Sequence, residues 1–445
     1  MTHRVSTNKL MKTLFPKQIE AKDFFLNVQR SGGNTLDTSD VGTGKTVVAA
    51  HLAAELEGPI AIISPKSVLP SWRRELDEVG VDPVFVLNYE KIRTGNTEWM
   101  SKVGKKIMRW NLPENTTVFI DEIHRAKGPY TQNAQIVISL VNAGFHVHGM
   151  SATAAEDPSE MRGLGYMLGL HNLNKSVRKD GKIANPSWVT WMTRNGCDKD
   201  FWGAWGLRDK SKLPEVRDSM YGVNTKRLTV DDMPDAFRAN RVFVENIEFK
   251  SLKEIQRVYE DLGITPEIVE QYIVDGKIKQ EEHALTNILR ARQLAEGLKA
   301  PDISDMAQEL IMEGMSVVIF VNFSETVEAL CDRLGCDSID GKQKKNRQDV
   351  IDDFVADRTT CVVVNTTAGG EGVSLHDKVG NRPRVSLISP AFSAKDYVQV
   401  LGRIHRNGMK SDAIQKILVA DGSIEEHVMR SMQKRLSNLK TMQNQ

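Results

Sequence analysis

Ser39-Asp40-Val41-Gly42-Thr43-Gly44-Lys45-Thr46 is the stretch from which the rest of the chain can be read. It lies between a short strand pattern at Thr35–Thr38 and a helical pattern starting at Lys45. Small residues let backbone N–H groups curl around a polyphosphate, and the helix N-terminus adds partial positive charge. In that setting Gly42, Thr43 and Gly44 form the cradle, Lys45 reaches the β- and γ-phosphates, and the Thr46 hydroxyl binds Mg²⁺. The strict pattern has glycine where Ser39 stands, so the match rests on Gly44-Lys45-Thr46. A strand–loop–helix of this kind predicts an α/β fold with a parallel sheet.

The bulk properties agree with that reading. The chain has 445 residues, 40% hydrophobic and 26% charged, which is enough for two or three domains with real cores. A net charge of +1 means that any polyanion must be met by local basic patches. The cysteines Cys197, Cys331, Cys336 and Cys361 show no C-x-x-C spacing, so neither a zinc site nor a disulfide framework is indicated. No signal-peptide core and no apolar run near eighteen residues occur, so a cytoplasmic location without a membrane span is expected.

Further motifs follow in order. Pro16 suits the first turn of a helix reaching Phe25, and Gln18 on that turn could read adenine's donor and acceptor edge. Ile60–Ser64 is a continuous apolar run, the pattern of a strand buried on both faces, and it ends in Pro65-Lys66. Val84–Leu87 reads as another strand. Val118-Phe119-Ile120 delivers Asp121 and Glu122 to a strand's C-terminal end, where α/β sheets place their chemistry. There Asp121 would hold Mg²⁺, and Glu122 would orient and deprotonate the attacking water. His146–Met150 leads into Ser151-Ala152-Thr153, a hydroxyl turn able to sense the γ-phosphate or simply to cap a helix.

Residues 160–240 break the α/β alternation. Trp188, Trp191, Trp202 and Trp205 sit there behind the basic run Lys175–Lys182, and they read as packing for a small helical subregion rather than a base-stacking platform. Helical patterns fill 250–310. A second α/β pattern follows, with strands at Val317–Val321, Cys361–Val364, Val385–Ile388 and Ile417–Val419 and no phosphate loop of its own. It carries a basic turn with Lys342, Lys344 and Lys345, a glycine loop with Gly370 and Gly372, and Gln399-Val400-Leu401-Gly402-Arg403-Ile404-His405-Arg406. The last stretch is expected to set Arg403 and Arg406 on one helix face, as arginines that stabilise a transferring phosphoryl group.

Taken together, this ordered series resembles a superfamily-2 helicase or translocase of the Swi/Snf-like branch, from residue 14 to 430. Residues 188–234 share part of the pattern of the annealing-helicase subgroup. The resemblance implies two tandem RecA-like doubly wound parallel-sheet lobes, residues 1–240 and 241–445, with the helical Trp-rich subregion in the first. It implies ATP and Mg²⁺ as cofactors. Gln18 would bind adenine, and Lys45, Thr46, Asp121, Gly370, Gly372, Arg403 and Arg406 the phosphates and metal. His124, Ser151, Thr153 and Gln399 would couple hydrolysis to motion. Pro65, Lys66, Asn322, Phe323, Thr366 and Thr367 would line a nucleic-acid track, on duplex or branched DNA rather than RNA. The alternatives are a strand-separating DNA or RNA helicase and a nucleotide-gated DNA clamp. Glu371 and Asn407-Gly408-Met409 depart from the family's usual residues. Compactness points to a phage or viral chain, and protein partners are not written in these residues.

Overall fold

The computed structural model describes residues 13–443 except 104–106, 180–181, 201–202, 204, 276–283, 342–345 and 370–372. Trp202, Lys342, Lys344, Lys345, Gly370, Glu371 and Gly372 therefore lie outside the described residues. The chain divides into two compact units, one running to Met233 and the other spanning Pro234–Ser437.

The first unit is built on strands β1 (Thr35–Asp37), β2 (Ile60–Ser64) and β3 (Phe85–Asn88), a hairpin of β4 (Met100–Val103) with β5 (Ile107–Trp110), then β6 (Thr117–Asp121) and β7 (His146–Met150). Two more hairpins follow, β8 (Val177–Lys179) with β9 (Lys182–Asn185) and β10 (Cys197–Lys199) with β11 (Trp205–Leu207), before β12 (Thr225–Lys226). The main sheet is six-stranded and parallel, in the order β12-β1-β7-β6-β2-β3. Alternation across its strands fills two cores. Ala61, Ile63, Val118 and Ile120 face a cluster with Tyr89, Ile136, Leu140 and Trp188. Ile60, Ile62 and Phe119 face one with Phe25, Leu52, Trp72 and Met150. A strand buried on both sides has no polar alternation, which is why these runs read as continuous apolar stretches.

The expected helix at Pro16 runs further than Phe25, to Arg30. The Trp-rich stretch holds short helices, Trp188–Arg194 and Leu213–Met220, but also the β8–β9 and β10–β11 hairpins. Trp188 and Trp191 are buried, as packing residues.

The second unit repeats the scheme with β13 (Asn240–Ile247), β14 (Ser316–Val321), β15 (Asp337–Ile339), β16 (Cys361–Asn365), β17 (Arg384–Ile388) and β18 (Ala413–Ala420). They form a six-stranded parallel sheet in the order β13-β18-β17-β14-β16-β15. Val317, Ile319 and Val321 face one core while Val318 and Phe320 face the other. β13 is a largely exposed edge strand whose short apolar run, Val242-Phe243-Val244, is not buried. Among the described residues no helix is long and apolar enough to cross a membrane.

Candidate active site

The loop between β1 and the helix Lys45–Glu55 bends through Gly42 and Gly44, both at φ 89°. Gly44 is required twice over, since a Cβ there would also lie 2.6 Å from Gln18 Nε2. Gln18 explains that closeness. Its Nε2 donates to Thr43 O at 2.7 Å, and its Oε1 accepts from Phe15 N at 2.9 Å. One amide thus ties the helix start to the loop, and each end keeps one further hydrogen-bonding capacity. The Thr43 hydroxyl closes the turn on Asp40 O at 2.8 Å.

Lys45 Nζ donates to Ser39 O at 2.6 Å and to Asp40 O at 2.9 Å. The ammonium is thereby curled over its own loop. Burial pushes its pKa down, and the charges of Asp37, Glu122, Asp40 and Asp121 push it back up.

Asp121 ends β6 and is buried. Its Oδ2 accepts from Trp72 Nε1 at 2.9 Å and Ser64 Oγ at 3.1 Å, and its Oδ1 from Glu122 N at 2.9 Å. Burial first, and the neighbouring Glu122 second, push its pKa up to about 6. Glu122 then leaves the strand in a left-handed conformation, φ 50° and ψ 47°. An L-residue rarely holds that geometry unless its surroundings impose it. The Tyr89 hydroxyl does so here, donating to Asp121 O at 2.7 Å and reaching Glu122 O at 3.3 Å. The turn aims the Glu122 carboxylate at His124, Oε2 to Nδ1 at 3.1 Å. The same His124 Nδ1 lies 2.9 Å from Ser151 Oγ, which accepts from Thr153 N at 3.1 Å. Glu122, His124, Ser151 and Thr153 are thus one connected chain.

The acid excess facing Lys45 would suit a divalent cation, for which Asp121 offers a carboxylate and Thr46 a hydroxyl. Among the described residues no cluster of three or more His, Cys, Asp or Glu could hold a metal alone.

In the second unit the loops at the C-terminal strand ends are stitched together. The buried Glu296 carboxylate accepts from Asn322 N (2.9 and 3.0 Å), Asn322 Nδ2 (2.6 Å) and Phe323 N (3.0 Å). Asn322 O accepts from Asn365 Nδ2 at 3.2 Å, and Asn365 Oδ1 accepts from Thr367 N at 3.1 Å. Asn322, Phe323, Thr366 and Thr367 therefore share one edge. Thr366 is buried and Thr367 exposed. In the first unit Pro65 is buried and Lys66 exposed beyond the end of β2.

The expectation for Arg403 and Arg406 needs correction. The helix Ala394–Leu401, with Gln399 buried on it, ends at a Gly402 cap, so the arginines lie in the turn beyond it rather than on a helix face. Leu375 N captures Arg403 O at 2.9 Å, holding the chain out of helical geometry. The side chains still converge: Arg403 Nη1 and Arg406 Nη2 donate to Val373 O at 3.2 and 3.1 Å. Arg403 is buried, and Arg406 is partly exposed.

Sequence reasoning missed Tyr89 and Glu296 as supports. Tyr89 directly follows β3 as the first residue of the helix Tyr89–Thr94, whereas nothing local marks Glu296, which lies 26 and 27 residues from the Asn322 and Phe323 it serves.

Comparison with known proteins gives the remaining evidence. Residues 302–408 match the helicase conserved C-terminal domain model. A putative ATP-dependent RNA helicase, L364, of Acanthamoeba polyphaga mimivirus is 28% identical over 97% of this chain and 84% of its own. A SWI/SNF-related matrix-associated actin-dependent regulator of chromatin subfamily A-like protein 1 of Xenopus tropicalis is 23% identical over 97% of this chain and 45% of its own. The Sulfolobus solfataricus SWI2/SNF2 ATPase core in complex with dsDNA is 15% identical, covering 98% of this chain and 97% of that one, at a TM-score of 0.38. With the phosphate loop, the Asp121–Glu122 pair and the duplicated parallel sheet in place, the chain is an ATP-hydrolysing enzyme that carries a helicase C-terminal domain and is similar over nearly its whole length to helicases that include Swi/Snf-related proteins.

Proposed function

We propose that this enzyme is a DNA-dependent ATPase that moves along or remodels duplex or branched DNA. The observation that supports the ATP half of this reading is the Lys45 ammonium, held on the Ser39 and Asp40 carbonyls within reach of the Asp121 and Glu122 charges. In this reading Gln18 meets adenine, and Gly42, Thr43, Gly44 and Lys45 hold the phosphates. Thr46 and Asp121 hold Mg²⁺, which supplies charge neutralisation when bound. Glu122 takes the proton of the attacking water, and Arg403 and Arg406 act on the transferring phosphoryl group. The Glu122–His124–Ser151–Thr153 chain reports the state of the phosphate to the rest of the unit.

The nucleic-acid half rests on Lys66, Asn322, Phe323 and Thr367 at strand ends. Lysine and backbone-type contacts of this kind read phosphates and not bases, so binding is independent of sequence and weakens steeply with salt. The mimivirus relative carries RNA helicase in its name, which makes RNA the competing activator. Phosphate release measured with single-stranded, duplex, forked and four-way DNA and with RNA tests the reading. Strongest stimulation by duplex or branched DNA is expected. Stronger stimulation by RNA or single strands, with processive opening of long duplexes, replaces it with a strand-separating helicase.

A further inference from the structure

The phosphate loop is braced along one side by a segment that none of the motif roles uses. Leu36 N donates to Asn224 O, Thr38 N to Lys226 O and Asp40 N to Leu228 O, at 3.0, 3.0 and 2.8 Å. In return Leu228 N donates to Ser39 Oγ at 2.9 Å, and the Thr38 and Tyr221 hydroxyls meet at 2.8 Å. Serine in place of the usual glycine at position 39 is accounted for by this bond. The brace ends on a charge pair: Arg227 Nη2 donates to Asp40 Oδ1 at 2.7 Å, and Val230 N to Asp40 Oδ2 at 3.3 Å.

Asp40 is electrostatically out of place in a loop that receives a polyphosphate. Asp121 and Glu122 have metal and water to serve, and the Asp37 carboxylate is used by Ser39 N at 2.8 Å. Asp40 alone adds negative charge next to the phosphates without a part in the chemistry. Its partner is a guanidinium, charged at every working pH, on a side chain only 13% exposed, so solvent screens the pair weakly. We propose that Arg227 is a positioning residue for the triphosphate: it masks the Asp40 charge and holds that carboxylate away from the phosphate oxygens. This inference rests on residues 39–46 being the ATP phosphate site.

A double-mutant cycle tests it, with KM for ATP, kcat and the Kd of a fluorescent ATP analogue as readouts. Arg227→Ala is expected to raise KM and Kd about tenfold, the effect of one charge interaction of about 1.4 kcal/mol, with kcat within about threefold. In the Asp40→Asn background the same removal is expected to change KM by less than about threefold, because no charge is left to mask. Arg227→Gln, which keeps a donor but no charge, is expected to behave like Arg227→Ala; it also serves if the alanine variant does not fold. Equal losses in both backgrounds, or full recovery with Arg227→Gln, would make Arg227 a purely structural brace and overturn the proposal. Lys45→Ala is the reference. If it binds the analogue normally, the ATP-site assignment itself fails. If it loses binding while the cycle shows no coupling, only the Arg227 role fails.

Discussion

Trp72 Nε1 donates to Asp121 Oδ2 at 2.9 Å, joining a fully buried indole on one helix to the acid at the end of β6. The bond stabilises the ionised carboxylate, as does Ser64, against burial and Glu122, which together hold its pKa up at about 6. Trp72→Phe removes a donor to the charged form, so the Asp121 pKa moves further up. ATP hydrolysis needs the ionised acid, which is lost as pH falls through that pKa. The acidic limb of the kcat/KM profile is therefore expected to move to higher pH, by about one unit. An unmoved limb would mean that another group sets it.

Tyr89 fixes the left-handed turn at Glu122 through the Asp121 carbonyl. Tyr89→Phe leaves the ring in its core and deletes only the hydroxyl. A loss of about 1 kcal/mol of stability is expected, the usual worth of one hydrogen bond. The kcat is expected to fall about tenfold as Glu122 loses its aim, with ATP affinity little changed. Thermal melting and steady-state kinetics separate the two effects. Equal kcat in both proteins would show that the backbone holds the turn unaided.

Lys45 and Glu122 should part company in binding. Lys45→Ala deprives the phosphates of the loop's own cation, and a fall of about 10²-fold or more in turnover is expected, with ATP affinity lost alongside. Glu122→Gln keeps shape and hydrogen bonding but cannot take a proton from water. It is expected to bind ATP and Mg²⁺ and to stop at the bound complex. Calorimetric affinity compared with single-turnover rates decides this; a Gln variant that loses both equally would remove Glu122 from a base role.

Arg403 and Arg406 share Val373 O but differ in burial. Arginines acting on a transferring phosphoryl group are worth about 10³–10⁵ in rate. Arg406→Ala is expected to lower kcat on that scale with ATP affinity and melting temperature nearly unchanged. Arg403→Ala is expected to lower kcat and also the melting temperature, because its guanidinium packs inside the second unit. Near-normal turnover in both variants would leave them as structural side chains.

Glu296 offers a test confined to the second unit. Its carboxylate accepts from the Asn322 and Phe323 backbone N–H groups, and Glu296→Ala leaves them without that acceptor. Each such loss costs about 1–3 kcal/mol. Reduced stability is expected together with weaker activation of the ATPase by nucleic acid, at unchanged KM for ATP measured without nucleic acid. A variant activated like the parent protein would take the Asn322 loop out of the nucleic-acid track.

The sequence by itself determined the central strands of both sheets and the short runs in which the proposed chemistry lies on consecutive residues. Ile60–Ile63, Val118–Ile120 and Val317–Val321 are apolar throughout because both faces of a parallel sheet are covered, and that pattern survives in a one-dimensional reading. Gly44-Lys45-Thr46 and Asp121-Glu122 are likewise legible because the roles proposed for them need adjacent atoms. Only the tertiary structure decided that Trp72 and Ser64 hold Asp121, that Tyr89 holds Glu122, and that His124 meets Ser151. It also decided that Arg403 and Arg406 sit beyond a helix end, and that Arg227 answers Asp40. These pairs are far apart in the chain, and each depends on a sheet register that brings them within hydrogen-bonding distance. No local propensity encodes a contact between side chains that meet only after β12 has paired beside β1 and β7 beside β6.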